Sequence, residues 1–336
     1  VADTKISALT SLTGAGSTAD GDELPIVDVS DTTMAASGTT KAISVADLSA
    51  AVFERPLPEF ASTDPSAPAS GVKLYARKKG GRRLAAMVGP SGLDATLQPF
   101  FGSNCVAFVR PNGNGTTVSS VGLALTATGT ATAANWAATN LHTSMRRIDY
   151  LVTPASTTAV AGFRGAAQQF WRGNAAGLGG FYFVCRWAPA TGQATSTKRA
   201  FCGLAASTAA PTDVNPSSLL NVLGMGKDAA DANWQFIGND GTGTATKTNL
   251  GAAFAVSSTD RAKVFELAMF CPPNGSAVEW QVTDLATGSV ATGTVSASGD
   301  LPSSTTALNP WAYCSVGGTS SVIGLTLFSL YIETDN

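Results

Sequence analysis

The chain has 336 residues, only 13% of them charged, with a formal net charge of −2, one histidine and five cysteines. A charge content near half the usual ~25%, with no C-x-x-C spacing, argues against a basic nucleic-acid-binding protein and against a zinc site built from Cys and His. The length suffices for two or three modest domains with a real core.

The net charge hides an asymmetry. Residues 1–60 carry nine acids against three bases, a net of −6, whereas residues 71–100 carry Lys73, Arg77, Lys78, Lys79, Arg82 and Arg83 against Asp94, a net of +5. One short basic run without interleaved aromatics is a poor nucleic-acid motif; it is expected to be a solvated hairpin rim or to face an acidic neighbour. The cysteines (Cys105, Cys185, Cys202, Cys271, Cys314) are odd in number, so they cannot all pair within one chain and read as small buried hydrophobes of a protein assembled in a reducing cytoplasm.

In chain order, Ile6, Leu9 and Leu12 recur every three residues up to Gly14-Ala15-Gly16, an apolar edge too short to stand as a lone helix. Leu24-Pro25-Ile26-Val27-Asp28-Val29 is a β-prone run closed by Ser30-Asp31-Thr32-Thr33. Ser44 and Asp47 form a capping pattern that places Val45, Leu48 and Val52 on one helical face. Residues 1–55 therefore read as a small α+β module, a short strand pair with one amphipathic helix. Residues 56–103 begin as a semi-rigid linker, with Pro56, Pro58, Pro65 and Pro68 close together. Val72–Arg77 and Arg82–Val88 then flank Lys78-Lys79-Gly80-Gly81, which signals a β-hairpin.

From residue 104 the pattern is strands. Val106–Val109 is followed by the turn-rich 111–115 segment, and in Phe181–Trp187 the residues Phe181, Phe183, Cys185 and Trp187 alternate against Tyr182, Val184 and Arg186. Phe265, Leu267 and Met269 share one face of a run whose other face carries Glu266, and Val278, Trp280 and Val282 point opposite to Glu279, Gln281 and Thr283. Turns are expected at 272–275 and 286–288. Ile323–Glu333 is a near-continuous apolar strand suited to the middle of a sheet. Cys314–Ile332 is uncharged but holds Gly317, Gly318, Ser320, Ser321, Gly324 and Ser329, so it reads as strand rather than membrane span. Residues 104–336 are thus expected to form an antiparallel β-sandwich of jelly-roll type, making the chain mainly β.

The run Thr4–Gly16, with Leu24–Val29 and Ser30–Met34, resembles the N-terminal virion-attachment segment of tailed-bacteriophage tail fibres and related appendage proteins, over residues 3–52. Leu74–Leu84 with Pro90–Asp94 and Leu97–Pro99 resembles the hairpin connector of phage fibres. Phe181–Phe183, Asn239–Gly243, Phe270–Gly275 and Leu330–Asp335 look like the concanavalin-type, lectin-like domain at the distal end of many such fibres. The resemblance implies a virion structural protein assembled in the host cytoplasm and released by lysis. Its N-terminus would dock on other virion proteins of tail or capsid through Ile6, Leu9, Leu12, Leu24, Ile26, Val45, Leu48 and Val52. It also implies a homo-oligomer, a trimer or else a dimer, with host-surface glycan as the external partner. The polar opening Val1–Lys5 shows no secretory signal. A capsid decoration protein and a polysaccharide-depolymerising spike are the alternative readings.

No enzyme chemistry is expected, nor any cofactor, metal, nucleic acid or membrane insertion. His142 has no nucleophile-elbow signature beside it, and Gly224–Asp228 fails the phosphate-loop pattern because position 221 is Asn and position 228 is Asp. Glu266, Glu279 and Asp284 are the strand carboxylates open to a depolymerase, but Glu279 and Asp284 fall on opposite strand faces. Asn239 and Asp240 are turn residues before they are calcium ligands. Sugar recognition pairs an aromatic ring with amide or carboxylate groups; Trp234, Gln235, Asn239 and Asp240 offer that combination within seven residues.

Overall fold

The structure, a computed structural model, describes residues 23–28, 39–44, 56–60, 65–66, 68–88, 94–96, 105–111, 118–176, 178–190, 197–256 and 263–334. The chain divides into two compact units, Val1–Pro58 and Glu59–Asn336. In the first, β1 (Glu23–Asp28) pairs antiparallel with β2 (Thr39–Ser44). Leu24 and Ile26 fall on β1, whereas Ile6, Leu9, Leu12, Val45, Leu48, Val52 and the capped helix expected there lie outside the described residues.

Among the described residues the second unit holds three sheets. The largest runs β10 (Thr130–Ala134), β11 (Arg147–Ser156), β22 (Ser321–Thr334), β13 (Phe181–Pro189), β18 (Phe265–Cys271), β19 (Val278–Asp284), β20 (Ser289–Val295). Into it β7 (Cys105–Pro111) also pairs on β22 and carries β8 (Val118–Val121). The second sheet runs β17 (Thr246–Asn249), β16 (Gln235–Asn239), β15 (Val222–Lys227), β14 (Arg199–Ala205), β21 (Asn309–Ser315), β12 (Val160–Gly165), β9 (Leu125–Thr128). Every pairing in these two sheets is antiparallel, and they face each other across one core as a jelly-roll β-sandwich. A short helix α1 (Leu141–Ser144) is capped by Asn140, whose Oδ1 accepts from Thr143 N at 2.9 Å.

β22 is the spine of the larger sheet. Ile323–Leu327 pairs with β11 and Leu330–Thr334 pairs with β7 on one side, while β13 follows it along the other. A strand with neighbours on both sides and packing on both faces tolerates an unbroken apolar run. Phe328 occupies a bulge opposite Arg186 and Trp187, which lets one strand serve two partners without breaking the ladder.

The core is stitched by aromatics from both sheets. Trp187 meets Trp234 edge-on at 5.5 Å, Phe265 lies 5.1 Å from Trp234, and Phe236 stacks on Trp280 at 4.6 Å with 6° between planes. Cys185 and Cys202 face one another across the sheets with their sulfurs 3.6 Å apart. Cys185, Cys202, Cys271 and Cys314 are all buried, and none forms a disulfide; burial pushes the Cys202 thiol well up and the Cys271 thiol to about 11, which suppresses the reactive thiolate.

The third sheet, β3 (Glu59–Phe60), β4 (Lys73–Lys79), β5 (Arg82–Val88) and β6 (Asp94–Thr96), contains the basic hairpin. The hairpin lies in the same compact unit as the sandwich, and its tip is bonded to the larger sheet as described below.

Trp280→Ala removes a ring that is 3% exposed and fully stacked. It is expected to cost about 3–5 kcal/mol in urea unfolding; a loss under about 1 kcal/mol would mean that the two sheets are not packed through this ring.

Candidate functional site

The four residues that the sequence suggests for sugar stacking do not form an open platform. Trp234 is 0% exposed and packed between Trp187 and Phe265, because it faces the interior where the two sheets meet. Asn239 is buried and donates to Leu219 O at 2.6 Å. Gln235 donates to Asn233 O, and Asp240 accepts from Thr242 N and Oγ1 in a local turn. These bonds are all made within the chain, and Asn239 Oδ1 is left buried without a hydrogen-bond partner among the described residues.

The outer face of the seven-stranded sheet is closed as well. Phe201, Val222, Ile237, Trp311 and Tyr313 form a second apolar cluster there, and the 206–221 segment is tied across it. Tyr313 donates to Val214 O at 2.7 Å and Trp311 Nε1 to Ala209 O at 3.2 Å. Arg199 pairs with Asp213 at 2.7 Å, and Asp213 also accepts from Gly317 N and Gly318 N. Every residue of β15, β16 and β21 is buried in consequence.

His142 is 3% exposed and lies edge-on to Phe328. Its Nε2 is 3.4 Å from Thr326 Oγ1, which donates to Asp149 at 2.5 Å. Thr326 is 0% exposed, so this hydroxyl stands in the sheet and not at a surface where a substrate could reach it.

The open chemistry lies where the basic hairpin meets the outer face of the nine-stranded sheet. The turn Gly80-Gly81 has φ of +55° and +89°, as a two-residue hairpin turn requires. It also presses flat on the sheet: a Cβ on Gly80 would sit 2.9 Å from the Ala268 carbonyl group, and one on Gly81 would overlap the Glu279 side chain. On one flank of the tip, Arg82 grips Glu333 bidentately at 2.7 and 2.8 Å and lies over the Tyr182 ring at 5.0 Å. Tyr331 OH donates to the same carboxylate at 2.8 Å. On the other flank Lys79 pairs with Glu266, Arg186 Nε donates to Glu266 at 2.6 Å, and Lys78 lies 3.2 Å from Glu279. Lys78, Lys79 and Arg82 of the basic run thus meet an acidic neighbour, whereas Arg83 stays 65% exposed beside Glu59.

Burial raises the Glu266 carboxyl, but the charges of Lys79 and Arg186 outweigh it and hold the group below its ordinary value. Glu266 therefore stays ionised at neutral pH as a fixed anchor between hairpin and sheet.

Beside this anchor a groove of about 310 Å³ remains open. Its hairpin wall is Phe60, Arg77, Lys78 and Lys79; its floor is Arg186, Glu266, Gln281 and Thr283; and Leu285, Gly288 and Val290 close the far side. Strand register places them together: Arg186 is opposite Glu266, Glu266 opposite Thr283, and Thr283 opposite Val290. The alternation in 278–284 assigns Gln281 and Thr283 to the outer face, as found. Arg186 was legible as an outward residue, but its place in a site was not, since the hairpin that roofs it is more than a hundred residues away in sequence.

No protein-family model matches the chain, and no curated protein matches it. Among solved structures the chain is similar to a protein of unknown function from Shewanella oneidensis MR-1, at 12% identity and a TM-score of 0.43, over 71% of this chain and 90% of that one. It is also similar to the CBM2 module of the evolved Dit of Lactobacillus casei BL23 phage J-1, at 16% identity and a TM-score of 0.40, over 68% and 96%. Arcelin-5, a lectin-like defense protein from Phaseolus vulgaris, aligns at 5% identity with a TM-score of 0.42, over 69% and 99%.

Two outcomes follow from the docked hairpin. Gly81→Ala is expected to lift the tip, so that trypsin cuts at Lys78–Arg83 in the variant and spares the parent; equal resistance would contradict the close approach. The stabilising contribution of Glu266 is present above the ordinary carboxylate value of 4.5 and is lost as pH falls through its lower folded value. The thermal stability advantage over Glu266→Gln should shrink with acidification in that window, and a pH-independent difference would refute the charge anchor.

Proposed function

We propose that the chain is a non-enzymatic bacteriophage virion protein, a tail fibre or fibre-like appendage. Residues 1–52 moor it to other virion proteins, and the β-sandwich is displayed for attachment to host-surface glycan. The observation that carries the glycan reading is the open groove on the outer face of the nine-stranded sheet, where amide, hydroxyl and basic groups converge beside the apolar Phe60, Leu285 and Val290. Sugars are recognised by that mixture of polar groups and apolar wall. The resemblance of residues 3–52 to attachment segments supports the mooring.

Support for binding without cleavage comes from the groove lining. Glycoside hydrolysis uses two carboxyl groups across the scissile bond; among the described residues this lining carries one, Glu266, and it is committed to Lys79 and Arg186. The low-charge, small-residue composition suits close subunit packing, and the proposal includes a homotrimer.

Phage particles assembled with a chain lacking residues 1–52 are expected to omit the protein, while the purified full chain binds a subset of a host-glycan array and leaves polymer length unchanged. Normal incorporation of the shortened chain would contradict the mooring, and an array without any hit would contradict glycan attachment.

A further inference from the structure

We propose that the groove between the hairpin and the nine-stranded sheet takes an acidic saccharide unit, one that bears a carboxylate or phosphate group, with Arg186 as the residue that holds the anion. This rests on the reading of the sandwich as a glycan binder and names the class of glycan.

Four cations serve the groove, Arg77, Lys78, Lys79 and Arg186. Of these, Lys78, Lys79 and Arg186 are opposed by two carboxylates, Glu266 and Glu279, one more cation than acid. The Arg186 fork is half used: its Nε is bonded to Glu266, its two terminal nitrogens have no hydrogen-bond partner among the described residues, and its side chain is 43% exposed. A guanidinium with both terminal nitrogens open is the geometry that receives a carboxylate or phosphate through two parallel bonds. Glu266 fixes the fork from below, so little side-chain freedom remains to be lost on binding.

The rest of the lining suits a sugar ring. Gln281 Nε2 donates to Thr283 Oγ1 at 3.3 Å, leaving the amide oxygen to accept from a sugar hydroxyl, and Leu285 with Val290 offers an apolar surface to ring C–H groups. The volume, about 310 Å³, is at the small end of ligand sites and fits one or two units of a chain that continues into solvent. Nucleic acid fits less well: it is held by rows of phosphate contacts and stacking rings, and Phe60, the one aromatic of the lining among the described residues, is already set edge-on against Tyr75 at 5.6 Å.

The test is titration calorimetry on the full chain with trigalacturonate, a glycerol-phosphate oligomer, maltotriose and a single-stranded DNA oligonucleotide at low salt. Binding is expected for trigalacturonate, the glycerol-phosphate oligomer or both, weakening as salt is raised, and the preferred probe tells carboxylate from phosphate. Arg186→Lys keeps the charge beside Glu266 but removes the fork, so affinity should fall about tenfold or more with the unfolding midpoint unchanged; Lys78→Gln, at a more exposed pair, should weaken binding by a smaller factor. Maltotriose binding as well as the acids, with Arg186→Lys indifferent, overturns the acidic class and leaves glycan attachment standing. Failure of every saccharide overturns both, and tighter binding of the oligonucleotide overturns the saccharide assignment.

Discussion

Glu266 is 4% exposed and yet ionised, between a lysine of the hairpin and an arginine of the sheet. A buried carboxylate is tolerated only when its charge is compensated and its lone pairs are bonded. That requirement ties the hairpin to β13 and β18, and the groove follows from the tie. On the opposite flank the same logic holds at Glu333, which is 2% exposed and met by the Arg82 fork and the Tyr331 hydroxyl. Two buried acids on β18 and β22, with β13 between them, thus select where Lys79 and Arg82 at the hairpin tip come to rest.

The two outer faces of the sandwich have been put to different uses. The seven-stranded sheet is sealed by the 206–221 segment over an apolar cluster, and its side-chain hydrogen bonds are spent on that cover. The nine-stranded sheet receives the charged hairpin along part of its outer face and buries an apolar cluster of Ala188, Val264 and Phe328 beneath Leu141 and Met145 along another. Sealing one face makes that sheet a stable wall, and a rigid wall is what a binding site on the other sheet needs to hold Arg186, Gln281 and Thr283 in register.

Much of the fold was legible where the chain carries bulky residues with a clear period. The run Val278–Asp284 coincides with β19, Ile323–Glu333 lies within β22, and the turn expected at Lys78–Gly81 is made by Gly80-Gly81, between β4 and β5. The stretches 118–134 and 199–227 were silent, because alanine, glycine and threonine neither mark a face nor set a period, and their strands form through pairing with distant partners. Trp234 misled for a related reason: one tryptophan beside amides looks the same whether it faces a sugar or a core, and only its contact with Trp187, far away in sequence, decides. The groove was hidden because its two walls meet through ion pairs that no local pattern records; the basic run alone was equally compatible with a solvated rim and with an acidic neighbour.

The central claim, that charge pairing on Glu266 and Glu333 holds the hairpin down, is tested most directly by amide hydrogen exchange across residues 73–88 as pH is lowered, each rate referred to its intrinsic value. The account predicts strong protection at neutral pH that fades in acid for the hairpin, while β13, β18 and β22 remain protected. Hairpin amides that exchange freely at neutral pH, or that stay protected as long as the sandwich does in acid, would contradict it.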